Sequence, residues 1–249
     1  MSHRSVLLAA CSLVVLVGCG SSEPEQPAAQ AGTPNKQTAS QTSTSTITSM
    51  QTVNKQGATG ADGQSSAQSL QSVASAMQNL VTPQQGNTGA AQQGLTLFPT
   101  ETGTTGTCTC TATSCTFEAC GNGTSFKMDG SYSWGGGTIK AALKYTVTSG
   151  GGGATADIVM ELAADMKITE TSLDGTVSSK GTSKSSFGAY SATTTWDSSM
   201  TYNGVTFAKG GGSPTGGSAK VKATTTTAGI AGAPGATYAA DFDITFPFK

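Results

Sequence analysis

Cys108, Cys110, Cys115 and Cys120 fall within thirteen residues, spaced C-x-C-x4-C-x4-C. Thiols this close support two kinds of chemistry: oxidation to disulfides, or ligation of a metal as thiolates. Structural zinc is usually held by a C-x2–4-C clasp, and C-x-C is unusual for it. Four cysteines allow three disulfide connectivities, which the sequence does not separate. Cys108 to Cys110 is the least favoured, because side chains two apart on an extended strand stand too far apart to bridge. Carboxylates are the other candidates. Asp241 and Asp243 share one strand face, and Asp157, Glu161 and Asp165 share another. Paired carboxylates can serve glycoside hydrolysis or bind Ca²⁺. Here they alternate with apolar residues, so they are read as a face turned to water.

The absences are as informative. His3 is the only His and Arg4 the only Arg. Past position 4 the chain therefore has no Ser-His-Asp or Cys-His arrangement and no guanidinium clamp for phosphate or carboxylate. It contains no G-x-S-x-G, no P-loop and no S-x-x-K. Twelve Lys are scattered among fourteen acids with a net charge of −1, which leaves no basic stripe for nucleic acid. Only 11% of residues are charged, against about 25% in average soluble chains; 33 Gly and 41 Thr fill the space. No catalytic residue, metal or cofactor is expected, and the chain is not read as an enzyme.

A fifth cysteine has a different setting. Ser5 to Val17 is a mostly apolar run of 13 residues behind a short n-region, too short to span a bilayer as a helix. It leads into Leu16-Val17-Gly18-Cys19. This segment resembles the lipobox of bacterial lipoproteins. The resemblance covers roughly the first twenty residues and implies cleavage before Cys19, diacylglycerol on its thiol and acylation of the new amine. More than one acyl chain makes a stable membrane anchor. Gly20, where an Asp would favour inner-membrane retention, implies outer-membrane sorting. The resemblance thus divides the chain into a signal peptide, 1–18, and a lipidated remainder in the cell envelope. Export also favours disulfides over thiols at the other four cysteines.

These residues need elements to position them. Residues 19–63 carry few large apolar side chains and are read as the lipidated Cys and a disordered linker. Its flexible reach is roughly 35–40 Å. Residues 64–249 are read as the folded domain. In 64–81, Ala67, Leu70, Val73, Ala74, Met77, Leu80 and Val81 recur at helical spacing, between Asp62 as a cap and Pro83 as a stop.

From about Cys108 the period switches to two. Clear sets run through Phe126–Trp134, Ile139–Val147, Ala156–Ile168, Tyr190–Tyr202 and Tyr238–Phe248, with a weaker one at Val221 and Ala223. Asn122-Gly123, Asp174-Gly175 and Asn203-Gly204 are expected to be tight hairpin turns. Short connections imply antiparallel neighbours. The expected fold is all-β: an antiparallel meander of about 8–10 strands forming a curved sheet, half-barrel or barrel-like structure, with one N-terminal helix and a disordered tether.

Function follows at the same resolution. The expectation is a lipid-anchored, non-enzymatic structural or interaction module, whose partner is the membrane through its anchor and another envelope component. The alternative is an apolar-ligand or lipid carrier, by loose analogy with half-barrel lipoprotein carriers. Its ligand face would then be Trp134, Tyr145, Met160, Trp196, Met200 and Phe242.

Overall fold

Alternation of apolar and polar residues becomes strand along nearly the whole chain past Thr105. The computed structural model describes residues 36–59, 70, 73, 77, 105–111, 113–151, 154–188, 190–209, 211–228 and 235–247. Helix α1 spans Lys36–Thr59. The strands are β1 (Thr105–Cys110), β2 (Ser114–Gly121), β3 (Phe126–Gly135), β4 (Thr138–Gly151), β5 (Ala154–Ile168), β6 (Ser172–Phe187), β7 (Tyr190–Phe207), β8 (Pro214–Ala228) and β9 (Ala236–Thr245). They form one nine-stranded sheet in the order β1 to β9, every pair antiparallel. This is the expected meander. β1 and β9 are its two edges, so the sheet is not closed.

One face is apolar and covered. Met128, Ile139, Leu143, Tyr145, Leu162, Met166, Val177, Met200, Tyr202 and Val221 point into a single buried cluster with Ile47, Met50 and Val53 of α1. The geometry requires the sheet to curl. Ser43 of α1 lies against Met200 in β7, and Gln51 reaches Gly212 just beyond it. The same helix also contacts β3, β5, β8 and β9. In a flat sheet β3 and β9 would stand about 29 Å apart, far more than the 10–12 Å width of a helix.

α1 corrects the expected tether. Of its 24 residues seven are Thr and four are Ser, which is why composition alone reads as linker. Among its residues of described burial, only Ala39, Ile47, Met50 and Val53 are buried apolar residues, beside buried Thr42, Ser43, Thr46 and Gln51. The hydroxyls of Thr48 and Thr52 turn back onto the carbonyls four residues earlier, each at 2.9 Å, so they satisfy themselves within the helix. In the helix expected over 64–81, Leu70, Val73 and Met77 are helical and buried. Its other positions lie outside the described residues, as do the signal peptide, Cys19 and the linker up to residue 35.

The turns bring a second correction. Asn122-Gly123 does connect β2 to β3, with Asn122 Oδ1 accepting the N–H groups of Ser125 and Phe126. Asp174-Gly175 and Asn203-Gly204 are not hairpin turns. They are bulges inside β6 and β7, where the register shifts. These bulges use positive φ as a tight turn does, and Gly175 and Gly204 supply it at 125° and 55°. The two bulges meet: the Asp174 carboxylate accepts the Gly204 N–H at 2.6 Å.

Two hairpins that the sequence reading did not single out use hydroxyls in place of Gly or Asn. Thr111-Ala-Thr-Ser114 joins β1 to β2, and Thr169-Glu-Thr-Ser172 joins β5 to β6. In each the Ser N–H donates to the Thr Oγ1, at 3.0 and 2.9 Å, and the Thr N–H donates to the Ser carbonyl, at 2.7 and 2.9 Å. Such side-chain turns take the place of glycine turn chemistry.

Candidate functional site

The four cysteines form two disulfides, Cys108–Cys120 and Cys110–Cys115. The second joins residues directly opposite in the β1–β2 register. The first needs a bulge. Cys115 and Cys120 are five apart, so on a regular strand they would face opposite ways. The register shift between Phe117 and Cys120, with Ala119 at φ 49°, restores Cys120 to the side of Cys115. The Ala119 N–H donates to Asp129 Oδ1 at 2.7 Å, which holds the bulge in place. Gly106 on β1 fits over it, for a Cβ there would collide with the Glu118 and Ala119 carbonyls. All four sulfurs are consumed, so none is a thiolate for metal. The bridges mark a chain that matures in an oxidising compartment outside the cytoplasm.

The six residues proposed as a ligand face stand on one side of the sheet. Trp134, Tyr145, Met160, Trp196 and Met200 are each less than 5% exposed, and Phe242 is half-buried against the same cluster. Trp134 stacks on Tyr132 at 4.8 Å between ring centroids, and Tyr132 stacks on Phe117 at 6.0 Å. The Tyr132 hydroxyl lies 3.4 Å from Cys115 Sγ and must be the donor, since that sulfur is bridged. Six of the chain's seven Met are buried in this core: Met50, Met77, Met128, Met160, Met166 and Met200.

Polar groups are caught in the same layer. The Tyr202 hydroxyl donates to Met200 Sδ at 3.1 Å. Burial pushes its pKa well above the ordinary value, and the Ser43 and Thr46 hydroxyls beside it offset that in part. Burial raises Tyr145 likewise, with the neighbouring Tyr132 adding to the effect. The Tyr145 hydroxyl, Trp134 Nε1 and Thr225 Oγ1 have no hydrogen-bond partner among the described residues.

The outer face is organised by charge. Asp129, Lys144, Glu161, Lys180 and Asp197 stand opposite one another in turn across β3 to β7, a five-residue rung of alternating sign. Lys180 meets Glu161 at 3.1 Å. Elsewhere Lys140 meets Asp165 at 3.5 Å, and Lys220 and Lys222 meet Asp241 at 3.5 and 3.9 Å. Asp157 lies opposite Lys184, and Asp243 opposite Lys220. Each carboxylate singled out in the sequence thus has a lysine facing it on the next strand. Register creates these pairs, and register is not readable from spacing along one strand.

Two open depressions flank the rung. One of about 520 Å³ lies over Ala142, Ala163 and Ser178, and one of about 390 Å³ over Val159, Thr182 and Thr226. Glu161, Lys180 and Asp197 line both. Among the described residues no group of three or more His, Cys, Asp or Glu side chains is arranged to hold a metal ion. The chain matches no protein-family model, no curated protein and no solved structure.

Proposed function

We propose that this chain is a lipid-anchored cell-envelope protein that works as a non-enzymatic interaction module, held through Cys19 to the outer membrane, to which Gly20 points. The observation that carries the reading is the division between the two faces. The apolar face is taken up in packing under α1, while the outer face is exposed, regularly charged and rich in Thr. A rigid face of that kind suits a polar protein surface as partner. The lack of His and Arg past position 4 supports a role without proton transfer or anion clamping. Two experiments test it. Cys19→Ala should release the protein from membranes, and persistent attachment would refute the anchor. A photo-crosslinking residue at Ala163 or Thr182 should yield one discrete envelope adduct in intact cells; none at either position would refute the module.

A second reading has its own support. Clustered methionines and the Tyr145 hydroxyl, which has no partner among the described residues, suit an apolar ligand with a polar head on the covered face. Lipid copurifying with the chain would favour this carrier reading over the first.

A further inference from the structure

The contact between α1 and the sheet is poorly suited to permanence. Half of the helix's described buried side chains are polar: Thr42, Ser43, Thr46 and Gln51, against Ala39, Ile47, Met50 and Val53. The Ser43 hydroxyl meets a thioether, Met200 Sδ, at 3.7 Å, and lies beside the buried Tyr202 hydroxyl. Gln51 accepts the Gly212 N–H at 3.2 Å, while its own amide nitrogen is buried without a partner among the described residues. Nor does the helix stabilise itself. Eleven of its 24 residues are Thr or Ser, its first turn holds no acid and its last turn no base. The seat beneath has the opposite character. Met200 touches the helix, Met128, Met160 and Met166 share its buried cluster, and unbranched thioether side chains repack around new shapes at little cost.

We infer that α1 is a displaceable plug, and that the Met-lined face beneath it is the seat of a long acyl chain. The inference rests on the carrier reading and adds to it where the ligand lies and what must leave to admit it. Local unfolding of α1 opens the face while β4 to β7, joined by long ladders, stay paired. The acyl chain then takes the place of Ile47, Met50 and Val53 against β5 and β7, and the Tyr145 hydroxyl can meet its polar end.

Hydrogen exchange and photolabelling of the full chain test this together. The probe is a diazirine-bearing fatty acid, with adducts mapped by peptide mass spectrometry. In the wild type, α1 amides should exchange at least about 100-fold faster than those of β4 to β7. Ile47→Ala should loosen the plug and raise labelling of the Met160 and Met200 peptides about tenfold. Ser45→Ala with Thr48→Ala, both exposed, should firm the helix and lower exchange and labelling about fivefold. α1 amides protected like the sheet would overturn the plug. Labelling that stays constant while α1 exchange changes would overturn displacement and leave the carrier reading standing. No labelling of the covered face in Ile47→Ala, with α1 exchange raised, would overturn the carrier reading itself and this inference with it.

Discussion

The indole of Trp196 lies across the bare α-carbon of Gly181 on the neighbouring strand. A Cβ at Gly181 would fall 2.3 Å from the ring and 2.5 Å from the Val159 carbonyl. The ring nitrogen donates to Ser179 Oγ at 3.3 Å. One large residue of β7 therefore fills the covered side of two positions on β6. Gly181→Ala should force the indole off its seat at a cost of about 1–3 kcal/mol, seen as a Tm lower by roughly 5 °C. An unchanged Tm with unchanged Trp fluorescence would refute the contact.

The Asp174 carboxylate and the Gly204 N–H join two bulges that would otherwise splay β6 from β7. Asp174→Ala should cost about 1–2 kcal/mol, since the donor is left without its charged acceptor. Hydrogen exchange should localise the loss, with the Gly204 amide exchanging faster and amides at the far end of β7 unchanged.

The alternating rung on the outer face makes a signed prediction. Glu161→Lys places a third cation between Lys144 and Lys180 and should destabilise the sheet, in a way that high salt partly relieves. Adding Lys180→Glu should recover part of the loss. The Glu161–Lys180 pair is exposed, so a double-mutant cycle should give a coupling of only about 0.2–1 kcal/mol.

Tyr145 and Tyr202 set the alkaline limit. Both hydroxyls have folded-state pKa values raised by burial, so above about pH 10 the unfolded chain loses protons that the folded one keeps. Stability from these groups is complete below that value and declines as pH rises beyond it. Tyr145→Phe and Tyr202→Phe should each move the alkaline unfolding midpoint upward. At pH 7 their effects should part. Tyr145→Phe removes a buried hydroxyl without a partner and should be neutral or stabilising; Tyr202→Phe loses the bond to Met200 and should cost about 1 kcal/mol.

The disulfides should matter locally. By the loop-entropy estimate the bridge closing the longer loop, Cys108–Cys120, contributes about 3 kcal/mol and Cys110–Cys115 about 2 kcal/mol. Replacing either pair by Ala should expose β1 and β2 to protease while β4 to β8 remain protected.

Much of this architecture can be read from periodicity. β3, β4, β5, β7 and β9 alternate more covered with more exposed residues along most of their length, so alternation finds them. β6 evades that reading because Ser179 and Gly181 make room for Trp196, a partner that register alone supplies. α1 evades it because a helix that buries hydroxyls has the composition of a linker. Asp174-Gly175 and Asn203-Gly204 carry the conformational need correctly, but a bulge and a hairpin share it. The hydroxyl turns at Thr111–Ser114 and Thr169–Ser172 escape glycine-centred reasoning, and Thr-x-Thr-Ser does not mark them, since it also occurs inside α1 and β4. The apolar residues of the covered face were legible one by one. Their lysine-matched counterparts on the outer face were not, because opposite charges many residues apart meet only once strands align.

The strict neighbour-to-neighbour order of the sheet has a consequence for how the molecule comes into being. No strand waits for a distant partner, so pairing can advance hairpin by hairpin as the chain is delivered from its N-terminal end. Helix α1 arrives first yet needs β3, β5, β7, β8 and β9 to rest against, so it settles last. Assembly and opening then share one coordinate: the segment that completes the fold is the one poised to leave it.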